Sequence, residues 1–225
     1  DEIIRPILRG RDIKKYDIHF SNLYLINAHN GVKEKGTKRI DVVNDYPVIY
    51  EHLKHFQSKL ESRSDKGDHW SNLRNCAYID IFTGPKLIYP ETMRLLKNNN
   101  ETFPRFTYDS GNYFCDKTAF SITGVEIKYL LAFMNSKIME YLIPQYVTAW
   151  DDSGFMMQKI YLENIPIPNP EKKIKDSIEI LVDKILIEEE ILKKKELQHE
   201  IDKIFSGIFN FSEDEEVFIN LIVRN

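Results

Sequence analysis

The sequence has little cysteine and little glycine, with two and nine residues of these types in a chain of 225. Cys76 and Cys115 are too few for a disulfide framework, and neither lies in a CxxC or Cys/His cluster with metal-ligand spacing. No glycine-rich phosphate loop, HExxH or GxSxG motif is present. We therefore expect no catalytic residues, no metal and no cofactor within this chain, and its thiols fit a reducing cytosol.

The sequence also lacks a long apolar run. No stretch approaches the roughly 20 apolar residues that a helix needs to cross a bilayer. The first residues, DEIIRPILRGRD, are charged rather than signal-like. We therefore expect a cytoplasmic protein without a membrane partner. The chain starts at Asp1 rather than at a methionine, which indicates a processed protein or a fragment of a longer one, and we favour the fragment.

Positive charge is unevenly distributed along the chain. The formal net charge is −4, yet residues 1–75 contain 14 Lys and Arg against 11 Asp and Glu. The corresponding counts are 8 against 10 for residues 76–169 and 9 against 14 for residues 170–225. The amino-terminal third is thus the basic part. This excess is modest, and composition alone does not indicate a nucleic-acid partner.

Short apolar and aromatic segments with polar punctuation predict a mostly antiparallel sheet. The predicted strands cover residues 22–27, 77–82, 86–89, 105–108, 113–114 and 119–122. Helical spacing of apolar residues predicts one helix that Pro47 opens and that runs to about Arg63, and a core helix over residues 125–143 that Pro144 stops. The fold class that follows is α+β, with helices packed on the sheet.

The segment IPIPNP, residues 165–170, marks the clearest boundary in the chain, because each proline fixes its own φ and disfavours helix in the residue before it. We predict one domain over residues 1–169, followed by a long helical arm and a final helix over residues 170–225. A capping box from Ser212 to Glu215 precedes the final helix. The arm is either an amphipathic helix packed on its own domain or a coiled-coil spacer that supports self-association.

Basic and aromatic residues in loops and at strand ends form the best candidate binding set. Arg and Lys neutralise phosphates, Arg binds guanine bidentately, Asn does the same to adenine, and Trp stacks on bases. LRGRDIKKY at residues 8–16 and KGDHWSNLR at residues 66–74 hold most of these side chains. For the tryptophan of the second segment, the alternative is a half-buried side chain that pins a loop. The candidate DNA-binding residues are Arg9, Arg11, Lys14, Lys15, Lys66, His69, Trp70, Asn72, Arg74 and Lys86.

A nuclease-like acidic set is the catalytic alternative. Metal-dependent phosphodiester cleavage uses two carboxylates on a metal and a lysine near the attacking water. Asp109 or Asp116, together with Glu126 and Lys128, would supply these groups. However, Glu-x-Lys triplets are common in a chain with 29% charged residues, and this one starts the predicted core helix rather than lying on a strand. We therefore favour a binding function over this one.

Several segments occur in an order that is typical of a known family. RPILRGRDIKKY, LYLIN, YPVIYEHLKHFQSKLESR, KGDHWSNLR, PKLIYPE, TAFSITG, YLLAFMNSKIMEYL and ENIPIPNP span about residues 4 to 169. They resemble the TaqI-like carboxy-terminal specificity domain of type IIG restriction-modification enzymes and N6-adenine DNA methyltransferases. The closing EIDKIFSGIFNFSEDEE also resembles the tail of such enzymes. One departure precedes IPIP, where the family is glycine-rich and residues 151–159 have only Gly154.

The resemblance implies a target recognition module. In that family the domain holds double-stranded DNA, while a preceding methyltransferase domain of the parent chain binds S-adenosylmethionine and flips out the adenine. The Asn-Pro-Pro-Tyr motif of that catalytic domain is absent here. The cations of LRGRDIKKY would then mostly position the phosphate backbone, and Trp70, Asn72 and Arg74 would enter a groove. A third alternative is a subunit-assembly module built on the arm, as in type I specificity subunits.

Overall fold

The computed structural model describes residues 2–95, 102–151 and 154–224. Runs of short, mostly antiparallel strands and runs of helices follow one another in this part of the chain, so the predicted α+β class is confirmed. The strands are β1 (Ile4–Leu8), β2 (Ile13–Lys14), β3 (Asp17–Ile18), β4 (Tyr24–Ile26), β5 (Lys86–Pro90), β6 (Thr92–Arg94), β7 (Thr107–Asp109), β8 (Phe114–Cys115), β9 (Ala119–Ile122), β10 (Ala149–Asp151) and β11 (Gly154–Met156). The α-helices are α1 (Val42–Asp45), α2 (Pro47–Lys54), α3 (Gln57–Glu61), α4 (Ile127–Met134), α5 (Lys137–Tyr146), α6 (Lys159–Leu162), α7 (Lys172–Ile187), α8 (Ile191–Phe209) and α9 (Glu213–Arg224).

The strands of the described ranges form several small sheets in place of one large sheet. β5 lies between β7 and β9, β1 lies between β4 and β8, β11 lies between β10 and β6, and β2 pairs with β3. All these pairings are antiparallel except that of β1 with β8. Side chains alternate across β5, so Leu87 and Tyr89 enter the main core and Ile88 enters a smaller one on the other face.

The predicted core helix is broken at Asn135, where α4 ends and α5 follows. The buried amide of Asn135 donates to the carbonyl oxygen of Phe106 at 2.9 Å and accepts from the Phe106 amide at 3.0 Å. Ser136 then caps α5 by accepting a hydrogen bond from the backbone N–H of Met139. The expectation that Pro144 stops the helix was wrong, because α5 continues for two residues beyond it and ends at Tyr146.

The helical arm is a hairpin of α7 and α8 that packs on α4. Ile178, Val182 and Ile185 of α7 and Ile201 and Phe205 of α8 belong to the main core. The amphipathic arm packed on its own domain is therefore the alternative that the structure supports. The domain boundary at residue 169 and self-association through the arm stay predictions. No helix in the described ranges is both long and apolar enough to cross a membrane.

Two further predictions of secondary structure were wrong in part, and one was confirmed. Residues 77–82 do not form a strand, and a 3₁₀-helix covers Ile79–Thr83 instead. Both edges of β5 are already paired, so a further strand has no place beside it. The helix opened by Pro47 is interrupted after Lys54 and resumes as α3. The capping box is confirmed, since the side chain of Glu215 accepts from the Ser212 amide and Ser212 Oγ accepts from the Glu215 amide.

Candidate nucleic-acid interface

The opening basic segment is held tightly against the strands behind it. β1 ends at Leu8, and the backbone N–H of Gly10 then donates to Thr118 Oγ1 at 2.8 Å. A Cβ at residue 10 would lie 2.5 Å from the carbonyl oxygen of Thr118, so only glycine allows this approach. The loop that carries Arg9 and Arg11 is therefore placed by backbone packing rather than by its charges.

Arg9 is oriented by an ion pair with Asp12. Arg9 Nε lies 3.1 Å from Asp12 Oδ2, and the Arg9 backbone N–H donates to the same oxygen at 2.9 Å. Ser21 Oγ donates to Asp12 Oδ1 at 2.6 Å. Burial opposes ionisation of Asp12, but the hydrogen bonds from Arg9 and Ser21 outweigh it and lower the pKa of this carboxyl. Asp12 therefore stays charged and keeps the guanidinium of Arg9 in place.

Four arginines from three segments line one open groove, which we call the arginine groove. Arg9 and Arg11 come from the opening loop, Arg94 from β6, and Arg105 from the approach to β7. Arg11 is exposed, Arg105 is 6% exposed, and Arg94 Nη1 lies 2.7 Å from Asp151 Oδ2. The carboxylates of Glu91 and Asp116 also line the groove. The concentration of guanidinium groups makes this surface suited to phosphate and guanine.

The second predicted segment, residues 66–74, forms a loop that we call the Trp70 loop. The indole of Trp70 is half-buried beside Tyr50 and His69, with ring centroids 5.6 and 5.3 Å away. His69 Nδ1 and Ser71 Oγ lie 2.8 Å apart. This packing supports the alternative in which Trp70 pins the loop.

Asn72 is 1% exposed and serves the fold from inside the Trp70 loop. Its Nδ2 donates to the carbonyl oxygens of Ala28 at 3.1 Å and Ile40 at 2.9 Å. Its amide cannot reach a base without breaking these bonds, so the predicted groove contact at Asn72 is not supported by the structure. Arg74 and Lys66 are exposed on the same loop, where Lys66 donates to the carbonyl oxygen of Glu61.

Comparison with known protein families gives a match over most of these elements. The model of the TaqI-like C-terminal specificity domain matches residues 5–167. The chain belongs to this family. The matched range contains the arginine groove and the Trp70 loop, and the α7–α8 hairpin lies beyond it. The resemblance stated from the sequence is thereby confirmed.

One curated relative of this specificity domain is the Type II methyltransferase M.BstVI of Geobacillus stearothermophilus. The two proteins are 23% identical over 219 residues, which cover 95% of this chain and 35% of the relative. The chain thus spans about a third of the length of that methyltransferase.

Lys14 and Lys15 of the specificity domain have different positions from Arg9 and Arg11. Lys14 lies half-buried in β2, opposite Asp17 of β3. Tyr16 has a φ of 57° in the tight turn between these strands. Lys15 faces the carboxylates of Glu140 in α5 and Asp202 in α8; burial lowers its pKa, and these two charges oppose that shift. Lys15 is therefore influenced by the charges of the helical layer, and it does not line the arginine groove.

Lys86 requires a correction, because its side chain is completely buried. Its Nζ lies 2.5 Å from Asp109 Oδ2 and 2.9 Å from the carbonyl oxygen of Phe82. The ammonium group is therefore not accessible to DNA. Removing one partner of such a buried pair costs about 3–5 kcal/mol because it leaves the other charge buried without a counter-charge, so the role of Lys86 is structural.

The residues of the nuclease alternative are engaged in separate contacts. Asp109 pairs with Lys86, Asp116 accepts from the backbone N–H and the hydroxyl of Thr118, Glu126 pairs with Lys175, and Lys128 pairs with Asp183. Lys128 also lies over the ring of Tyr108, which faces away from Asp109 on the same strand. Within the described ranges, no group of three or more His, Cys, Asp and Glu residues could hold a metal. The geometry gives no support to metal-dependent cleavage.

Sequence reasoning missed two arginines of the groove. Arg94 and Arg105 are far from Arg9 in sequence and lie in no basic cluster, so no local signal distinguished them. They meet Arg9 because β6 directly follows β5, whose last residue Pro90 lies against Gly10. The site is thus a product of strand order.

Proposed function

We propose that the chain is the DNA target recognition module of a restriction-modification enzyme that methylates adenine at N6. In this proposal the module holds duplex DNA and leaves catalysis to the rest of its parent. The observation that carries it is the arginine groove, which lies inside the range that the specificity-domain family covers. The relative with matching sequence is a type II methyltransferase, which supports the same conclusion.

The groove suits one wall of a DNA interface. Arginine presents a planar fork that binds phosphate oxygens or the O6 and N7 atoms of guanine in pairs. Arg9 is pre-oriented by Asp12, and Arg94 by Asp151, so little side-chain entropy is lost when they bind. Arg11 is exposed and is not oriented in this way by a carboxylate of the described residues, so its side chain would adjust to the position of a phosphate. Because Glu91 and Asp116 offset part of the charge, we expect modest affinity that depends strongly on salt.

The methyl donor belongs to the parent enzyme in this proposal. The chain spans 35% of the related methyltransferase, and its sequence holds no glycine-rich cofactor motif. S-adenosylmethionine and the catalytic residues would therefore lie in a methyltransferase domain that precedes this module. The module's part is to bring the target adenine to that domain.

A DNA-binding titration tests the proposal. A fluorescein-labelled duplex of randomised sequence is titrated with the folded chain at 25 to 200 mM salt, and anisotropy is measured. We expect binding at low salt that weakens steeply as salt increases. Arg11→Ala should weaken binding severalfold and reduce the slope of log K against log salt by about one. Lys172→Ala, an exposed cation of α7 outside the family match, should change neither quantity.

Two results would contradict the proposal. One is the absence of binding at 25 mM salt by a sample whose circular dichroism shows a cooperative melt. The other is equal loss of affinity in Arg11→Ala and Lys172→Ala, which would indicate attraction by overall charge without a specific groove.

A further inference from the structure

Trp150 is more exposed than any other Trp, Tyr or Phe among the residues that the structure describes. It lies on β10 and is 61% exposed. Tryptophan is mostly well covered in folded proteins, so an indole this open is unusual. Trp70, the other tryptophan of the chain, is half-buried beside Tyr50 and His69. The two tryptophans therefore have different environments, and only Trp150 offers a ring face to a partner.

The local backbone displays Trp150 at a shift in strand register. Ala149 opposes Phe155, and Asp151 opposes Gly154, so Trp150 is an extra residue on its strand. Such bulges redirect a side chain and occur often beside functional sites. Gly154 contributes to this arrangement, since a Cβ there would lie 3.0 Å from Asp151 Oδ1. The absence of a side chain at Gly154 leaves room for the Asp151 carboxylate to pass over β11 and pair with Arg94 of β6.

The strand that carries Trp150 is anchored to the arginine groove. β11 pairs with β6, which brings Gly154 opposite Arg94 and Phe155 opposite Met93. Phe155 and Met93 are buried, whereas the ion pair between Asp151 and Arg94 lies on the other face. Arg94 lines the groove, and Trp150 is the residue next to its ion-pair partner. The exposed indole thus belongs to the strand that an ion pair ties to a groove arginine.

We propose that Trp150 stacks on a base that has left the duplex stack while the arginine groove holds the neighbouring phosphates. This inference rests on the proposed function and adds a specific contact to it. The chemistry favours a base over another partner, because an open indole one residue from the ion-pair partner of Arg94 fits the alternation of bases and phosphates along a nucleic acid. Trp150 would be a positioning residue that keeps an opened target site from closing.

The two tryptophans allow a direct test by fluorescence. Trp70→Phe leaves Trp150 as the only indole, and Trp150→Phe leaves Trp70. Each variant is titrated with a matched duplex and with the same duplex carrying one central mismatched adenine, because a mismatched base unstacks at low cost. We expect DNA binding to quench the fluorescence emission of the Trp70→Phe protein by at least a third. At equal occupancy, the mismatched duplex should quench this emission more strongly than the matched duplex. The emission of the Trp150→Phe protein should change by less than a tenth.

Affinity gives a second measurement that does not depend on the Trp70→Phe variant. Trp150→Ala should bind the mismatched duplex about tenfold more weakly, the effect expected for one lost stacking contact. Trp150→Phe should retain most of the affinity because phenylalanine also stacks. Since Trp150 is exposed, both variants should melt at the wild-type temperature.

The outcomes separate this inference from the proposed function. If the wild type binds DNA but Trp150 fluorescence does not change and Trp150→Ala binds equally well, the stacking role is overturned and the DNA-binding proposal stands. If the wild type binds no DNA at low salt, both proposals are overturned. Quenching of Trp70 in place of Trp150 would also overturn the inference.

Discussion

The opening segment at residues 8–16 and the Trp70 loop look alike in sequence and differ in the structure. Both combine cations with an aromatic residue in nine residues. In the opening segment, Arg9 and Arg11 line the arginine groove. In the Trp70 loop, His69, Trp70 and Asn72 make contacts within the protein. The same residue types therefore form a candidate interface in one case and a structural brace in the other.

The difference lies in which backbone groups need partners. Near the Trp70 loop, the Asn72 amide donates to the buried carbonyl oxygen of Ala28 and to the part-buried one of Ile40, and a buried carbonyl without a partner is costly. Near the opening segment, Gly10 packs so closely on Thr118 that backbone and hydroxyl groups satisfy one another. The side chains of Arg9 and Arg11 are therefore not needed as partners for backbone groups, and both line the groove.

The largest expected effect is on stability, at Asn72. Asn72→Ala removes both hydrogen bonds that its amide donates to carbonyl oxygens, so we expect the free energy of unfolding to fall by about 2–3 kcal/mol. Urea-induced unfolding followed by circular dichroism measures this loss. Arg74→Ala, an exposed change in the same loop, should alter stability by less than about 0.5 kcal/mol. Equal stability of the two variants would show that Asn72 has no special structural role in the Trp70 loop.

The second prediction concerns the inward-facing end of the opening segment, where Lys15 meets Glu140. Burial raises the pKa of Glu140 to about 7, with Asp202 adding to the shift and Lys15 and Lys137 opposing it. A carboxyl whose pKa is raised in the folded state stabilises the fold below its unfolded pKa, and this contribution is lost as pH rises toward 7. Between pH 5.5 and 8, wild-type stability should therefore fall by about 2 kcal/mol more than that of Glu140→Gln.

Urea unfolding at several pH values measures the Glu140 effect. Glu189→Gln removes an exposed carboxylate from the turn between α7 and α8, so its pH dependence should follow the wild type. A Glu140→Gln profile parallel to the wild type would show that the helical layer does not influence ionisation there.

The smallest expected effect is on DNA affinity, at Arg74. This residue is exposed on the Trp70 loop, outside the arginine groove. We expect Arg74→Ala to weaken binding less than threefold, and less than Arg11→Ala does, because a cation outside the groove adds mainly screened, long-range attraction. Anisotropy titrations at one salt concentration compare the two variants. A larger loss at Arg74 would move the interface to the Trp70 loop.

Local patterns predicted those elements whose cause is local. The strand at Lys86–Pro90 is a short apolar run with turn residues before it, and the capping box at Ser212 depends on residues three apart. The helix break at Asn135 had no such signal, because it depends on Phe106, which is distant in sequence. Residues 77–82 had strand character but no open sheet edge. Segment order, rather than any single motif, identified the family.

The sequence by itself determined the α+β class, the basic character of the first third and the family of the chain. These properties follow from composition, periodicity and the order of segments along the chain. Only the tertiary structure decided which cations remain available to a partner. Lys86 is buried because Asp109 supplies its counter-charge, and Lys15 lies within the influence of Glu140 and Asp202. Arg94 and Arg105 join Arg9 because strand order brings them together. The role of a charged loop residue therefore depends on which partners the folded chain places beside it.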